Sequence, residues 1–293
     1  MTAGTLPAAS GIGRVGLTVG DLDETVAFYR DVVGLEVRSR EDGAGESVDG
    51  GGVATLGTPE RPLLELRADP AAPERPETAA GLFHTAFRVP SRAALGDALD
   101  RVRERWELTG ASDHLVSEAL YLRDPAGNGV EIYRDRPRAE WPTTDDGGVA
   151  MTTDPLDLDA LATESTGAQS VPAGSDVGHV HLEVTSLESV RSFYADALGM
   201  NVRQAMSGAL FLAAGQYHHH VGCNVWNGRS SPAEGRGLAW FEVTVPADAL
   251  AAVGERFEAA DLAVDGLRGE TGSDGFAVTD PDGIELRIRP DSE

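Results

Sequence analysis

Seven histidines occur in this chain of 293 residues, and their placement is uneven. In GHVHLEV, His179 and His181 stand two residues apart, so a strand there turns both imidazoles to one face. His84 lies in GLFHTAFRVP, and Glu131 lies in GVEIY between Val130 and Ile132. A carboxylate among apolar neighbours is costly unless it is paired or bound to a cation. Two imidazoles and one carboxylate make the facial donor set typical of non-haem Fe(II), which leaves other coordination positions open for substrate and oxygen. A second concentration is GQYHHHVGCNVW, in which His218 and His220 share one strand face and His219 takes the other. The apolar VGCNVW that follows reads as a strand and argues against a surface patch that binds metals loosely. His114, seven residues before Tyr121, reads either as a group near the site or as a solvated loop histidine.

The elements that must position these groups come from an internal repeat. VGLTVGDLDETVAFYRDVVGLEV, starting at Val15, lies over VHLEVTSLESVRSFYADALGMNV, starting at Val180, without a gap; Phe28/Phe193, Tyr29/Tyr194 and Gly34/Gly199 are among the identities. Each copy predicts an alternating strand, a helix with apolar residues at helical spacing that stops at glycine, and another strand. GLFHTAFRVP over GLAWFEVTVP, and DPAGNGVEIY over DPDGIELR, supply a second repeated pair. The chain therefore reads as four modules of strand, helix and further strands, roughly 11–68, 81–136, 177–227 and 237–289, an α+β organisation. Residues 142–174, rich in Thr, Asp, Ala and Gly, read as a long surface linker with at most a short helix at DLDALAT. The expected division is 1–140 (modules one and two), 141–175 (linker) and 176–293 (modules three and four). All seven histidines fall in modules two and three, so four equivalent units have specialised unequally.

Composition excludes several classes of partner. With 48 acidic residues against 24 basic ones the net charge is -24, which repels nucleic acid and anionic membranes. No run of about 18 apolar residues or basic-apolar leader occurs, and Cys223 is the single cysteine, so the expectation is a cytoplasmic protein without an internal disulfide. Every basic residue is arginine, and the acidic, lysine-free surface suits a halophilic habitat; coding bias would explain the arginine but not the acid excess.

FYRDVVGL, FYADALGM, DPAGNGVEIY and DPDGIELRI resemble motifs of the vicinal oxygen chelate superfamily, which includes glyoxalases, bleomycin-resistance proteins and extradiol dioxygenases. DHLVSEALYLRDPAGNGVEIYRDRPRAEW and GQYHHHVGCNVW are similar to the two-domain catechol 2,3-dioxygenase-like group, and the likeness spans nearly the whole chain apart from the ends and the linker. The resemblance implies βαβββ modules that pair into two open, barrel-like domains, α+β in class, around one metal. It implies His84, Glu131 and His179 as ligands of Fe(II), with Mn(II) as the alternative ion. It further implies Tyr121, ten residues before Glu131, as a donor to a ligand oxygen, His220 as the acid/base, and His114 as a further catalytic candidate. The substrates implied are dioxygen and a small aromatic ortho-diphenol, whose ring is opened; homo-oligomerisation is left open.

The departures from the pattern bear on which modules meet. Arg14 stands where module three has His179, Trp240 where module two has His84, and Ala277 where it has Tyr121; Glu285 alone survives in module four. A complete triad then needs modules two and three together, a permuted pairing. The rival is sequential pairing, with His179, one of His218 to His220, and Glu285. Two other functions stay open: a glyoxalase-type or other metal-dependent reaction on a quinone or dienol, and a non-catalytic protein that sequesters an aromatic ligand. Metal content and oxygen uptake separate the three.

Overall fold

Strict alternation of apolar residues becomes strand in this chain, and apolar residues at helical spacing become short helices. The computed structural model describes residues 5–41, 51–144, 148–267 and 275–291. The fold is α+β, two mixed sheets with few helices, and no closed barrel forms among the described residues. Two compact units divide the chain, one made of Arg14–Glu74 and His84–Gly178, the other of Met1–Gly13, Arg75–Phe83 and His179–Glu293.

Module one runs β1 (Gly11–Val19), α1 (Leu22–Phe28), β2 (Glu36–Glu41), β3 (Val53–Gly57) and β4 (Pro62–Ala68). Asp21 caps α1 by accepting from the Glu24 amide, and a wider π turn over Tyr29–Val33 follows, ended by Gly34 at φ 93°. Module two repeats the plan with β5 (Gly81–Arg88), α2 (Arg92–Arg105), β6 (Gly110–Asp113), β7 (Ser117–Arg123) and β8 (Gly129–Asp135). In both, the first strand lies parallel to the last, Val15 opposite Leu64 and Thr85 opposite Val130, and the remaining strands add as antiparallel neighbours. The buried Tyr29 hydroxyl donates to Asp124 Oδ2 at 3.1 Å, tying the helix of module one to the turn of module two.

The stretch expected as a surface linker is docked instead. β9 (Asp154–Pro155) pairs with β6, and α3 (Leu158–Ala162), the short helix read at DLDALAT, follows it. Leu161 and Val171 are buried. The carboxylate of Asp97 on α2 accepts from the Thr166 and Gly167 amides and from the Ser165 hydroxyl. Arg101, wholly buried, donates to the carbonyls of Val32, Val33 and Ala168. Composition made this stretch look like a linker because its polar groups bond to α2 while few apolar ones, Val149, Leu161 and Val171, are buried. Residues 145–147 of it lie outside the described residues.

The other unit carries β10 (Asp176–Glu183) from His179 onward, α4 (Leu187–Arg191), β11 (Asn201–Met206), β12 (Ala209–Ala213) and β13 (Val221–Asn224). It continues with β14 (Gly237–Val245), α5 (Leu250–Ala259), β15 (Asp265–Leu267), β16 (Gly275–Thr279) and β17 (Glu285–Pro290). The repeat holds to fine detail: a π turn over Ser192–Ala197 follows α4, first and last strands are again parallel, and Tyr194 donates to Asp280 at 2.8 Å. No described helix is long and apolar enough to cross a membrane.

Candidate metal centre

Glu131 is a buried carboxylate on β8, opposite Ala86 of the parallel neighbour β5. Its Oε2 stands 3.0 Å from Nε2 of His84, which is buried too. Tyr121 of β7 is the antiparallel partner of Glu131 in register, which gives the ten-residue spacing its physical meaning: the two face each other across one hairpin. The phenol packs on Ala86, Ala119 and Tyr133. Burial, followed by the charge and hydrogen bond of Glu131, pushes its pKa well above the ordinary 10.

His114 reaches the same hydroxyl, its Nε2 2.6 Å from Tyr121 Oη, while its Nδ1 lies 2.5 Å from the carbonyl of Thr152 in the docked segment. A carbonyl only accepts, so Nδ1 carries a proton. His114 is therefore bonded to Tyr121 while remaining partly exposed.

His179 sits on β10 directly after Gly178, and this glycine has a local cause. A Cβ at Gly178 would stand 1.7 Å from the Tyr133 hydroxyl, so only glycine lets β10 pass this buried phenol. Within the unit that holds the histidine run, His219 is the ring nearest His179, with centroids 4.1 Å apart; His218 lies at 6.1 Å. Sequence reasoning assigned the acid/base role to His220 and placed His219 on the opposite strand face, since alternation along a strand predicts faces and not the irregular approach into β13. His218 and His219 meet Nδ1 to Nδ1 at 2.8 Å, so one ring donates and the other accepts. His220 stacks on Tyr217 at 4.7 Å, and its Nδ1 accepts the Ala214 amide proton, which leaves the neutral ring protonated at Nε2.

His84 and Glu131, buried in one unit, and His179, buried in the other, are the three residues expected to ligate a metal. In module four the equivalent positions hold no such set. Trp240 carries the Arg287 guanidinium 3.9 Å from its ring centre, and Glu285, with its side chain 40% exposed, pairs with the same arginine.

Comparison with known proteins agrees with these motifs. The family model described as Glyoxalase/Bleomycin resistance protein/Dioxygenase superfamily matches residues 11–132 and 176–288. The chain is 37% identical over 279 residues to a catechol-2,3-dioxygenase of Bacillus subtilis, covering 92% of this chain and 93% of the relative. In fold it resembles a candidate dioxygenase from Bacillus subtilis, with a TM-score of 0.68 at 14% identity over 99% of this chain and 87% of the other. It also resembles glyoxalase I from Zea mays, with a TM-score of 0.60 at 16% identity over 96% and 92%.

Proposed function

Because the chain belongs to the glyoxalase, bleomycin resistance protein and dioxygenase superfamily, we propose that it is an extradiol dioxygenase that uses Fe(II) to open a catechol-type ortho-diphenol. The observation that carries the reading is the buried pair of His84 and Glu131, 3.0 Å apart, in a relative of a catechol-2,3-dioxygenase, with buried His179 proposed as the third ligand. The donor set fits such an ion. Two ligands about 2.1 Å from one metal and at right angles to each other stand about 3 Å apart, and His84 Nε2 and Glu131 Oε2 are separated by 3.0 Å. Neutral imidazoles with a single carboxylate leave a dication partly uncompensated, which suits binding of an anionic diphenolate.

Bound there, Fe(II) supplies Lewis acidity toward the diphenol oxygens and the electron transfer that dioxygen chemistry needs. In the overall reaction the C–C bond beside the diol breaks and both oxygen atoms of dioxygen enter the open product. The chain's own residues hold the proton inventory. His220 offers its Nε2 proton, with Nδ1 committed to the Ala214 amide, so it serves as donor toward the substrate. Tyr121 steadies Glu131 through its hydroxyl, and His114 orients that hydroxyl from the far side. The burial of the group excludes bulk water from the reacting oxygens.

Metal analysis with an oxygen electrode, catechol as probe, tests the reading. Stoichiometric iron with one dioxygen consumed per catechol is the expected result. Zinc or nickel without oxygen uptake would move the protein to the isomerase class, and absence of any retained metal would make it a binder. Within the loaded enzyme, His220→Ala is expected to keep its iron and lose about 10²- to 10⁴-fold in kcat.

A further inference from the structure

His114 stands in the turn between β6 and β7, and the backbone of this turn is strained. Leu115 takes φ 68°, in the left-handed region that a residue with a Cβ rarely adopts. Its side chain is exposed, so burial does little to offset the strain. Hydrogen bonds hold the turn instead: the Leu115 amide donates to Asp113 Oδ1 at 2.9 Å, and the His114 amide donates to the Ser117 carbonyl at 2.8 Å.

Asp113 is itself an unfavourable choice where it stands. Its register partner is the buried carboxylate Glu118, and like charges directly opposite each other across two strands repel. Arg136 reconciles them, with Nη2 2.5 Å from Asp113 Oδ2 and 3.4 Å from Glu118 Oε1, while Arg92 and Arg134 also pair with Glu118. A left-handed leucine and a facing pair of carboxylates thus flank one residue, His114. Strain gathered at one point of an otherwise regular hairpin marks a place where position matters. The ring presented there joins two partners: Nδ1 donates to the Thr152 carbonyl at 2.5 Å, and Nε2 lies 2.6 Å from the hydroxyl of Tyr121, the register partner of Glu131. A relaxed turn would swing the ring off both.

We propose that Asp113 is a positioning residue: by holding Leu115 in the left-handed turn it aims His114 at Tyr121 and so steadies Glu131. This rests on the ring-cleaving reading above and extends it to a carboxylate outside the ligand set.

The test compares, with catechol as substrate, the iron-loaded parent, Asp113→Ala and Asp113→Asn, whose amide oxygen can still accept from Leu115. Asp113→Ala should lower kcat about 10- to 100-fold, with KM and iron content within about twofold of the parent, and Asp113→Asn should restore most of the rate. Leu115→Gly added to Asp113→Ala should recover part of it too, because glycine takes the left-handed turn without an anchor. Histidine-ring NMR on the metal-free full chain reads the position directly. The His114 signal, assigned by its absence from His114→Gln, should show an Nδ1 proton protected from exchange in the parent and in Asp113→Asn, and unprotected in Asp113→Ala. Unchanged kcat and protection in Asp113→Ala, or equal losses in Asp113→Ala and Asp113→Asn, overturn the proposal and leave the ring-cleaving reading intact. If the parent consumes no oxygen with catechol, that reading fails and the NMR comparison decides the positioning alone. Where Asp113→Ala does not fold, Leu115→Val takes its place, since a branched side chain resists the left-handed region: kcat and protection lost together support the proposal, and both unchanged overturn it.

Discussion

At the scale of single residues, the assignment turns on which carboxylate matters. Glu131 is buried against His84, whereas Glu285 pairs with Arg287 near the surface. Metal content measured side by side should be near zero for Glu131→Gln, His84→Ala and His179→Ala, and near that of the parent for Glu285→Gln. The reverse order for the two glutamine variants would favour sequential pairing of modules. Gly178→Ala probes the same centre through packing, since its Cβ would stand 1.7 Å from the Tyr133 hydroxyl. It should displace β10 beside His179 and weaken iron retention in dialysis, with secondary structure by circular dichroism unchanged. Tyr121 came from the family resemblance, and its ten-residue distance from Glu131 is the one that a single hairpin sets. Gly178 was not legible, since its meaning depends on a partner, the Tyr133 hydroxyl, that no local pattern names.

At the scale of elements, the strands and helices followed from alternation and helical spacing, and glycine stops ended the helical segments as read, with Gly34 at φ 93° and Gly199 at φ 90°. The π turns after α1 and α4 left no trace in the pattern, because a one-residue widening shifts the apolar stripe without breaking it. The docked segment was missed for a different reason: what fastens it is hydrogen bonding to Asp97 and Arg101, and polar composition looks the same whether bonded to protein or to water. Burial alone would raise Asp97, and the bonds from Thr166 and Ser165 outweigh it, leaving the carboxyl below its ordinary range. Asp97→Ala should therefore release the segment locally. Faster amide exchange at Thr166 and Gly167, with a global stability loss of about 1–3 kcal/mol in urea, is the expected outcome; unchanged exchange would mean that Leu161 and Val171 suffice.

At the scale of the whole molecule, the twin clasps Tyr29–Asp124 and Tyr194–Asp280 repeat one device in both units, and the second carries a pH signature. Burial, opposed by hydrogen bonds from Ile284 and Tyr194 and reinforced by the charge of Asp282, raises Asp280 from 3.8 to about 6. The folded state thus holds this proton more tightly than the unfolded chain. Its contribution is complete below about pH 4 and is lost as the pH rises through about 6, by up to ~3 kcal/mol. Urea unfolding of the parent and Asp280→Asn between pH 4 and 8 should show this decline in the parent only. The parallel pairing of first with last strand has a different consequence, for synthesis. In every module the opening strand waits for the closing strand before it gains its parallel partner. On the ribosome each module therefore stays open until its final strand emerges and then closes as a loop. Pauses in translation that fall just after β4, β8, β13 or β17 would meet a closed module, and pauses just before them would leave an orphaned edge for chaperones to guard.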